Sequence, residues 1–198
     1  SSAMPLQQHC GWISRCSLTF SGQQYIKIEI SVLSMSEPFE MRRISSLVEQ
    51  TFDGKDVDSD FVQTIRTVSP ARTFLEKAFL LCEEYQKDRP RTHRMTRHFY
   101  DLEKLMHTPY AEMALKDVTL YHEIVEHRRK YYHVGYVNYD KELPTNIQIV
   151  PKKELMPAYE TDYNEMKNSF IYGQSLNFGE LMEKITILQE KFREIDVL

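Results

Sequence analysis

A lysine and an aspartate on successive predicted helices are the strongest candidates for chemistry in this sequence. Lys77 ends the run RTFLEK at residues 72–77, and Asp101 lies in the run RHFYDL at residues 97–102. A lysine on the polar face of a helix can meet a phosphate as a point charge. An aspartate on the next helix could orient that lysine or take a proton from an attacking hydroxyl. The alternative interpretation is an interhelical salt bridge on a solvated face.

Two acidic features of the sequence are candidate metal ligands. Glu29 lies on the polar face of a predicted strand, but a Mg²⁺ site needs several oxygen ligands, so one carboxylate is weak evidence. The run DVDSD at residues 56–60 has Phe61 and Thr67 where a calcium loop requires Gly and Glu. We interpret this run as an acidic loop.

Basic side chains cluster twice, at residues 89–98 and at residues 127–130. Such clusters can bind a nucleotide or an RNA backbone, or they can form solvated faces that nearby glutamates neutralise. The formal net charge of −4 gives no global reason to expect nucleic acid or an anionic membrane as a partner. Both interpretations of the basic clusters stay open.

The remaining composition is that of a soluble cytoplasmic protein. There is no apolar run long enough to span a membrane and no signal peptide. The three cysteines are odd in number and form no CxxC pair, which favours reduced thiols over disulfides or a zinc site. Cys82 lies on an apolar stripe and is predicted to be buried and inert.

Short strands near the N-terminus must position Glu29. Residues 12–20 and 25–30 alternate apolar and polar side chains around a turn at Gly22, which predicts a hairpin or two adjacent strands. From Pro38 the spacing of apolar residues becomes helical through Val48, and residues 61–68 predict another short strand. Two strands alone are only marginally stable in water, so the sheet should need more strands than the chain offers.

Helices must position Lys77 and Asp101. Ser69-Pro70 marks the start of the first, and further helices are predicted over 94–107, over 115–132, after Pro157, and after a capping box at Asn177. The predicted fold class is therefore α+β and mainly helical, with short N-terminal strands followed by a helical bundle. We place the domain boundary between residues 1–68 and residues 69–198.

The two helical motifs at their spacing resemble the paired C-terminal motifs of AbiEii/AbiGii-type nucleotidyltransferases, the toxins of bacterial toxin–antitoxin and phage-defence systems. The run YIKIEI at residues 25–30 is similar to the strand that bears the family's third acidic residue, and IYGQSL at 171–176 also fits. The resemblance implies that the N-terminal strands are a remnant of a nucleotidyltransferase palm sheet. It also implies an enzyme that uses Mg²⁺ to transfer a nucleotide from a nucleoside triphosphate to an acceptor, with tRNA or another RNA as a candidate acceptor.

Carried over by residue, the resemblance makes Glu29 a catalytic metal ligand and Lys77 a phosphate contact. It makes Asp101 the catalytic acid of the second domain, and Arg72 and Arg97 supporting nucleotide contacts. The family's first motif is a Gly-Ser turn followed by a DxD strand. No Gly-Ser dipeptide occurs in this sequence, and the DxD pattern within residues 56–60 neither follows such a turn nor precedes the strand of the third acid. Because metal ions neutralise the charge that develops in phosphoryl transfer, we expect a fragment or truncated member that is inactive in isolation.

The alternative function is a non-enzymatic helical module that binds an antitoxin protein or RNA. In either case an antitoxin is a candidate partner and a membrane is not. An exposed N-terminal strand, left without its sheet, also favours a homodimer.

Overall fold

The computed structural model describes residues 12–15, 25–28, 33, 35, 37–45, 51 and 63–196. The chain divides into two compact units, residues 1–34 and residues 35–198. Within the described residues there are two separate two-stranded antiparallel sheets and six α-helices. The fold is α+β and mainly helical, as predicted.

The first unit contains the predicted N-terminal hairpin. Strand β1 is Trp12–Arg15 and strand β2 is Tyr25–Ile28. They pair antiparallel, with Trp12 opposite Ile28 and Arg15 opposite Tyr25. The prediction of two adjacent strands is confirmed for these residues.

The prediction of a helix after Pro38 was wrong. Residues Phe39–Ile44 form strand β3, which pairs antiparallel with β4, Gln63–Val68. The apolar positions at Met41 and Ile44 fit a helix or a strand over such a short stretch, and pairing with β4 decides for the strand. The predicted strand over residues 61–68 is confirmed, and the predicted loop at 51–59 lies almost wholly outside the described residues.

Helix α1, Pro70–Glu84, is the centre of the bundle. The helix begins at Pro70, as predicted, although the side chain of Ser69 makes no capping hydrogen bond. The apolar stripe of this helix is buried together with its neighbours, at Ala71, Phe74, Leu75, Ala78, Phe79, Leu81 and Cys82. Tyr85, predicted on the same stripe, is partly buried. The ring of Phe74 stacks on the ring of Phe192, with 5.5 Å between the ring centroids. The rings of Phe79 and Tyr121 meet edge to face, with 5.0 Å between their centroids.

Helix α2, Thr96–Met106, packs against α1 and against three later helices. The apolar residues Phe99, Leu102, Leu105 and Met106 recur at helical spacing, and Phe99 and Leu102 are fully buried while Leu105 and Met106 are partly buried. The polar positions that carry the candidate site therefore face away from this core.

The single helix predicted over residues 115–132 is in fact three segments. Helix α3 is Pro109–Lys116, α4 is Val118–His127, and a π-helical turn, Arg128–Tyr132, follows. Asp117 causes the break, because its side chain accepts a hydrogen bond from the Leu120 N–H at 2.9 Å and starts a new helix. The irregular stretch predicted over 134–150 contains only short 3₁₀ turns.

The last two helices complete the bundle. Helix α5 is Met156–Phe170 and α6 is Phe178–Arg193. The predicted capping box is confirmed, with Asn177 and Glu180 exchanging two hydrogen bonds of 2.9 Å. By contacts, strands β3 and β4 belong with the helices in residues 35–198. A functional boundary at residue 68 stays a prediction.

Candidate active site

The two residues with the strongest chemical signal meet across the first two helices. Lys77 Nζ on α1 lies 2.7 Å from Asp101 Oδ2 on α2, and both side chains are partly exposed, at 22% and 38%. Ligands from solvent can therefore reach both groups. The two side chains meet in one seam between α1 and α2, and their contact is an ion pair.

A buried histidine lies beside this pair. His98 is one helical turn before Asp101 and only 7% exposed, and its Nδ1 is buried without a hydrogen-bond partner. Burial, together with the positive charges of Lys77 and Arg97, lowers the pKa of His98 to about 4, although the Asp101 carboxylate acts in the opposite direction. The imidazole is thus neutral at pH 7. In the sequence His98 stands out only as part of a basic run, although its position three residues before Asp101 already puts it on the same side of α2.

The N-terminus of α2 is held by an aspartate from α5. Asp162 Oδ2 accepts hydrogen bonds from the Thr96 N–H at 3.1 Å and from the Thr96 hydroxyl, while Oδ1 accepts from the Arg94 N–H. A carboxylate at a helix N-terminus satisfies free N–H groups and is favoured by the helix dipole. The carboxylate therefore fixes the start of the helix that carries Arg97, His98 and Asp101. No sequence pattern pointed to Asp162.

Arg97 is an exposed cation beside the seam. It lies one turn before Asp101 on α2, so the two share a face. Within the described part of the chain, its side chain makes no ion pair or hydrogen bond. By contrast, Arg91 in the preceding loop lies 3.8 Å from Glu84. Of the first basic run, Arg97 is the cation best placed to join Lys77 at a bound anion.

Arg72 has a different environment. It is 1% exposed, and its Nε and Nη2 donate to Glu76 Oε1 at 3.0 and 2.9 Å. Its Nη1 donates to the carbonyls of Met35 and Glu37. These bonds tie α1 to the segment that leads into β3, and a phosphate contact would require them to open. Its assignment as a nucleotide contact stays a prediction.

The predicted metal ligand Glu29 and the acidic run 56–60 lie outside the described residues. Among the residues that are described, no group of three or more His, Cys, Asp or Glu side chains could hold a metal ion. Asp101 supplies one carboxylate, and Lys77 already neutralises it. Mg²⁺ takes about six oxygen ligands, so this part of the chain does not by itself fit a magnesium site.

The second basic run is structural in the conformation seen. Arg128 is buried, with Nη2 2.7 Å from Glu83 Oε2, and Glu142 lies 3.9 Å from its Nε. Arg129 pairs with Glu126 at 3.1 Å and Asp140 at 2.8 Å. These ion pairs leave little free positive charge there for a nucleic acid. The interpretation as a neutralised surface fits residues 128 and 129.

Two further features carry no candidate chemistry. Cys82 is buried as predicted, and burial raises the pKa of its thiol to about 12, so a thiolate does not form at neutral pH. An open depression of about 660 Å³ lies between the end of α2, α3 and α6. None of the predicted site residues lines it, and its rim carries both signs of charge, from Glu112, Lys116, Lys191 and Glu194.

Comparison with known families bears directly on this seam. The family described as nucleotidyl transferase AbiEii toxin, type IV TA system, matches residues 15–193, a range that includes α1 and α2. The chain belongs to the AbiEii family. No curated protein and no solved structure matched the chain.

Membership of the AbiEii family supplies the general function. AbiEii proteins are nucleotidyltransferase toxins of type IV toxin–antitoxin systems, which implies a nucleotide substrate and an antitoxin partner. None of the helices in the described part of this AbiEii chain has the length and apolar character to cross a bilayer.

Proposed function

We propose that the Lys77–Asp101 seam is the phosphate- and acceptor-handling part of a nucleotidyltransferase site. The observation that carries this proposal is the 2.7 Å ion pair between α1 and α2, partly exposed and inside the matched family region. Lys77 would contact the triphosphate, with Arg97 in support. Asp101 would orient the acceptor and receive its proton.

The chemistry of this assignment is a displacement at phosphorus. The acceptor hydroxyl oxygen bonds to the α-phosphorus, the bond from that phosphorus to the bridging oxygen breaks, and pyrophosphate leaves. The proton of the hydroxyl passes to Asp101. Lys77 and Arg97 stabilise the negative charge on the phosphate oxygens, and positioning supplies much of the remaining rate.

The free ion pair is compatible with this role. With no triphosphate bound, the ammonium of Lys77 is paired with the carboxylate of Asp101. A triphosphate offers Lys77 several anionic oxygens, which compete with one partly exposed carboxylate. If the Lys77 ammonium moved to the phosphate, the Asp101 carboxylate would lose its partner. It would then be free to accept a hydrogen bond from the acceptor hydroxyl.

The finer features of the function are also proposals. When bound, Mg²⁺ would neutralise phosphate charge, and Glu29 is proposed as one of its ligands. The acceptor is proposed to be RNA, with tRNA ends as the first candidates, in the cytoplasm. We propose further that this chain alone transfers no nucleotide, because the sequence contains no Gly-Ser dipeptide and the seam has a single carboxylate. Homodimerisation through the N-terminal strand and binding of an antitoxin protein remain proposals as well.

Binding of ATP, GTP, CTP and UTP, measured by calorimetry on Lys77 and Asp101 variants, tests the assignment. Lys77→Gln should weaken binding of the preferred nucleotide about tenfold, the effect of losing one charge-assisted hydrogen bond. Asp101→Asn should not weaken it, because the substitution removes a negative charge close to the phosphates. Lys87→Gln is the matched control, since it breaks an ion pair of 2.8 Å with Glu84 three residues past the end of α1.

The two variants separate the proposal from a purely structural pair. If the pair only held α1 to α2, both substitutions would disturb binding equally. Equal losses for Lys77→Gln and Asp101→Asn, or a loss as large for Lys87→Gln, would contradict the assignment.

A further inference from the structure

His98 is the one buried titratable group at the seam whose role the proposed function does not use. It lies on α2 between Arg97 and Asp101, at the contact with α1. Its side chain is almost fully buried, and Nδ1 has no partner. Buried polar atoms without partners are uncommon in native proteins, and each one calls for a reason.

The charges that face His98 come from three segments. Lys77 approaches from α1, Arg97 and Asp101 lie on its own helix, and Arg91 lies in the preceding loop. Three cations and one carboxylate therefore surround a neutral ring. A protonated imidazole would repel all three cations, and this repulsion adds to the cost of burying the charge.

We propose that His98 is a third residue of the Lys77–Asp101 site, where its imidazole takes up a proton from solvent as a polyanion binds to the surrounding cations. This inference rests on the proposed function, because it requires phosphate to bind at Lys77. A bound polyanion cancels the positive charge that keeps the ring neutral, and it draws Lys77 away from Asp101. Both changes favour the imidazolium form.

The consequence is a pH-dependent affinity. If the bound state holds a proton that the free state lacks, affinity increases as the pH falls through the range in which the two states differ in protonation. Burial and the neighbouring cations lower the pKa of His98 in the free protein to about 4. Above that pH the free ring is neutral, so binding takes up a proton over the pH range in which the bound state holds the ring protonated. His98 is a positioning residue here, since it acts through the charges of Lys77 and Asp101.

NMR titration of the histidine side chains, with inorganic pyrophosphate as the probe, tests this inference on the 198-residue chain. In the free protein, Lys77→Gln should raise the pKa of His98, because the Lys77 charge lowers it. Pyrophosphate should raise the pKa of His98 in the wild type and much less in Lys77→Gln. His122 on α4 is the internal control and should not respond to either change.

Calorimetry gives a second readout that does not depend on a change in folding. At pH 5.5 the heat of pyrophosphate binding should vary with the ionisation enthalpy of the buffer, since a proton is taken up. In His98→Gln this variation should vanish, and the gain in affinity between pH 7 and pH 5 should be about threefold smaller than in the wild type. Comparison with the variant removes the ligand's own protonation. If His98→Gln does not fold, the wild-type NMR titration still decides.

The outcomes distinguish the two proposals. Pyrophosphate binding that depends on Lys77 but leaves the pKa of His98 unchanged would overturn this inference alone. No binding of pyrophosphate, or binding that ignores Lys77→Gln, would overturn the proposed phosphate role of Lys77 and the inference with it.

Discussion

Asp162 on α5 caps the N-terminus of α2 by accepting hydrogen bonds from both the N–H and the hydroxyl of Thr96, 66 residues earlier in the chain. The carboxylate is 8% exposed, and hydrogen bonds from Thr96 and Arg94 hold its pKa below the ordinary value although burial acts in the opposite direction. The helix that carries Asp101 therefore starts from a fixed point. The position of the candidate site depends on this contact between α5 and α2.

Replacing Asp162 with asparagine should lower the free energy of unfolding by roughly 1–2 kcal/mol, because an amide presents one acceptor where the carboxylate satisfies three donors. Urea denaturation followed by far-ultraviolet circular dichroism measures the loss. Glu160→Gln removes the same charge from an exposed position on α5 and should change stability little. Equal effects of the two substitutions would show that net charge, and not the cap, is responsible.

Separating Lys77 from Asp101 should cost little stability. The pair is partly exposed, and such pairs contribute about 1 kcal/mol or less. A double-mutant cycle with Lys77→Gln and Asp101→Asn, measured by thermal or urea denaturation, gives the coupling energy directly. A coupling energy near 3 kcal/mol would identify a structural bridge and would argue against a functional site at this seam.

Acid should destabilise the fold through His98. Its pKa is lowered from 6.5 to about 4 in the folded protein, so below pH 6.5 the unfolded chain binds a proton that the folded protein does not. The free energy of unfolding should therefore fall by roughly 2–3 kcal/mol as pH decreases from about 6.5 to about 4. In His98→Gln this part of the pH dependence should be absent. His122→Gln serves as the control, and a pH profile that His98→Gln leaves unaltered would refute the assignment.

A rise in pH should lower the free energy of unfolding through the buried cluster of Glu83, Arg128 and Glu142. Burial raises the pKa of Glu142 well above the ordinary carboxyl range, against the attraction of Arg128. The unfolded chain releases this proton near its ordinary pKa of 4.5, so stability should fall as pH rises above that value. Glu142→Gln stays neutral in both states and should be more stable than the wild type at pH 8, by about 1–3 kcal/mol, with little difference at pH 5.

If Glu142→Gln were instead less stable than the wild type, and more so at pH 8 than at pH 5, the result would mean that an ionised Glu142 stabilises Arg128. Arg128→Met provides the complementary measurement. It leaves Glu83 without its partner in a buried site and should cost roughly 3–5 kcal/mol.

The chain tested alone with Mg²⁺ and labelled nucleoside triphosphates should transfer no nucleotide to RNA or protein. The reason is the absence of a Gly-Ser turn from the sequence and the single carboxylate at the seam. Incorporation of label is measured on gels with total tRNA as acceptor, and Asp101→Asn is the negative control. Robust labelling that Asp101→Asn abolishes would show that the metal carboxylates lie elsewhere in this chain.

Local patterns in the sequence were sufficient for most of the helices. Proline at the start of α1, the capping box at Asn177 and the apolar stripes of α1, α2 and α6 each depend on residues within a few turns of one helix. The residues that meet at the seam were also predicted, because the helical motifs around Lys77 and Asp101 resemble those of the AbiEii family.

Other features depend on contacts between distant parts of the chain. Strand β3 was mistaken for a helix because its short apolar pattern is ambiguous until β4, about twenty residues later, pairs with it. Arg72 was predicted as a supporting nucleotide contact, yet its guanidinium is buried and donates hydrogen bonds to the carbonyls of residues 35 and 37 and to Glu76. Burial of a charge depends on which partners surround it, and sequence spacing does not report those partners.

Local sequence patterns thus predicted the family, the helical segments and the two charged residues that meet at the seam. Packing of the bundle was needed to reveal that Asp162 anchors α2, that His98 is buried and neutral, and that Arg128 lies among acidic side chains. Helix signals act within a turn or two, so they can be read along the chain. Caps from another helix, burial and pKa values arise from elements that are remote in sequence, and they exist only after the bundle has packed.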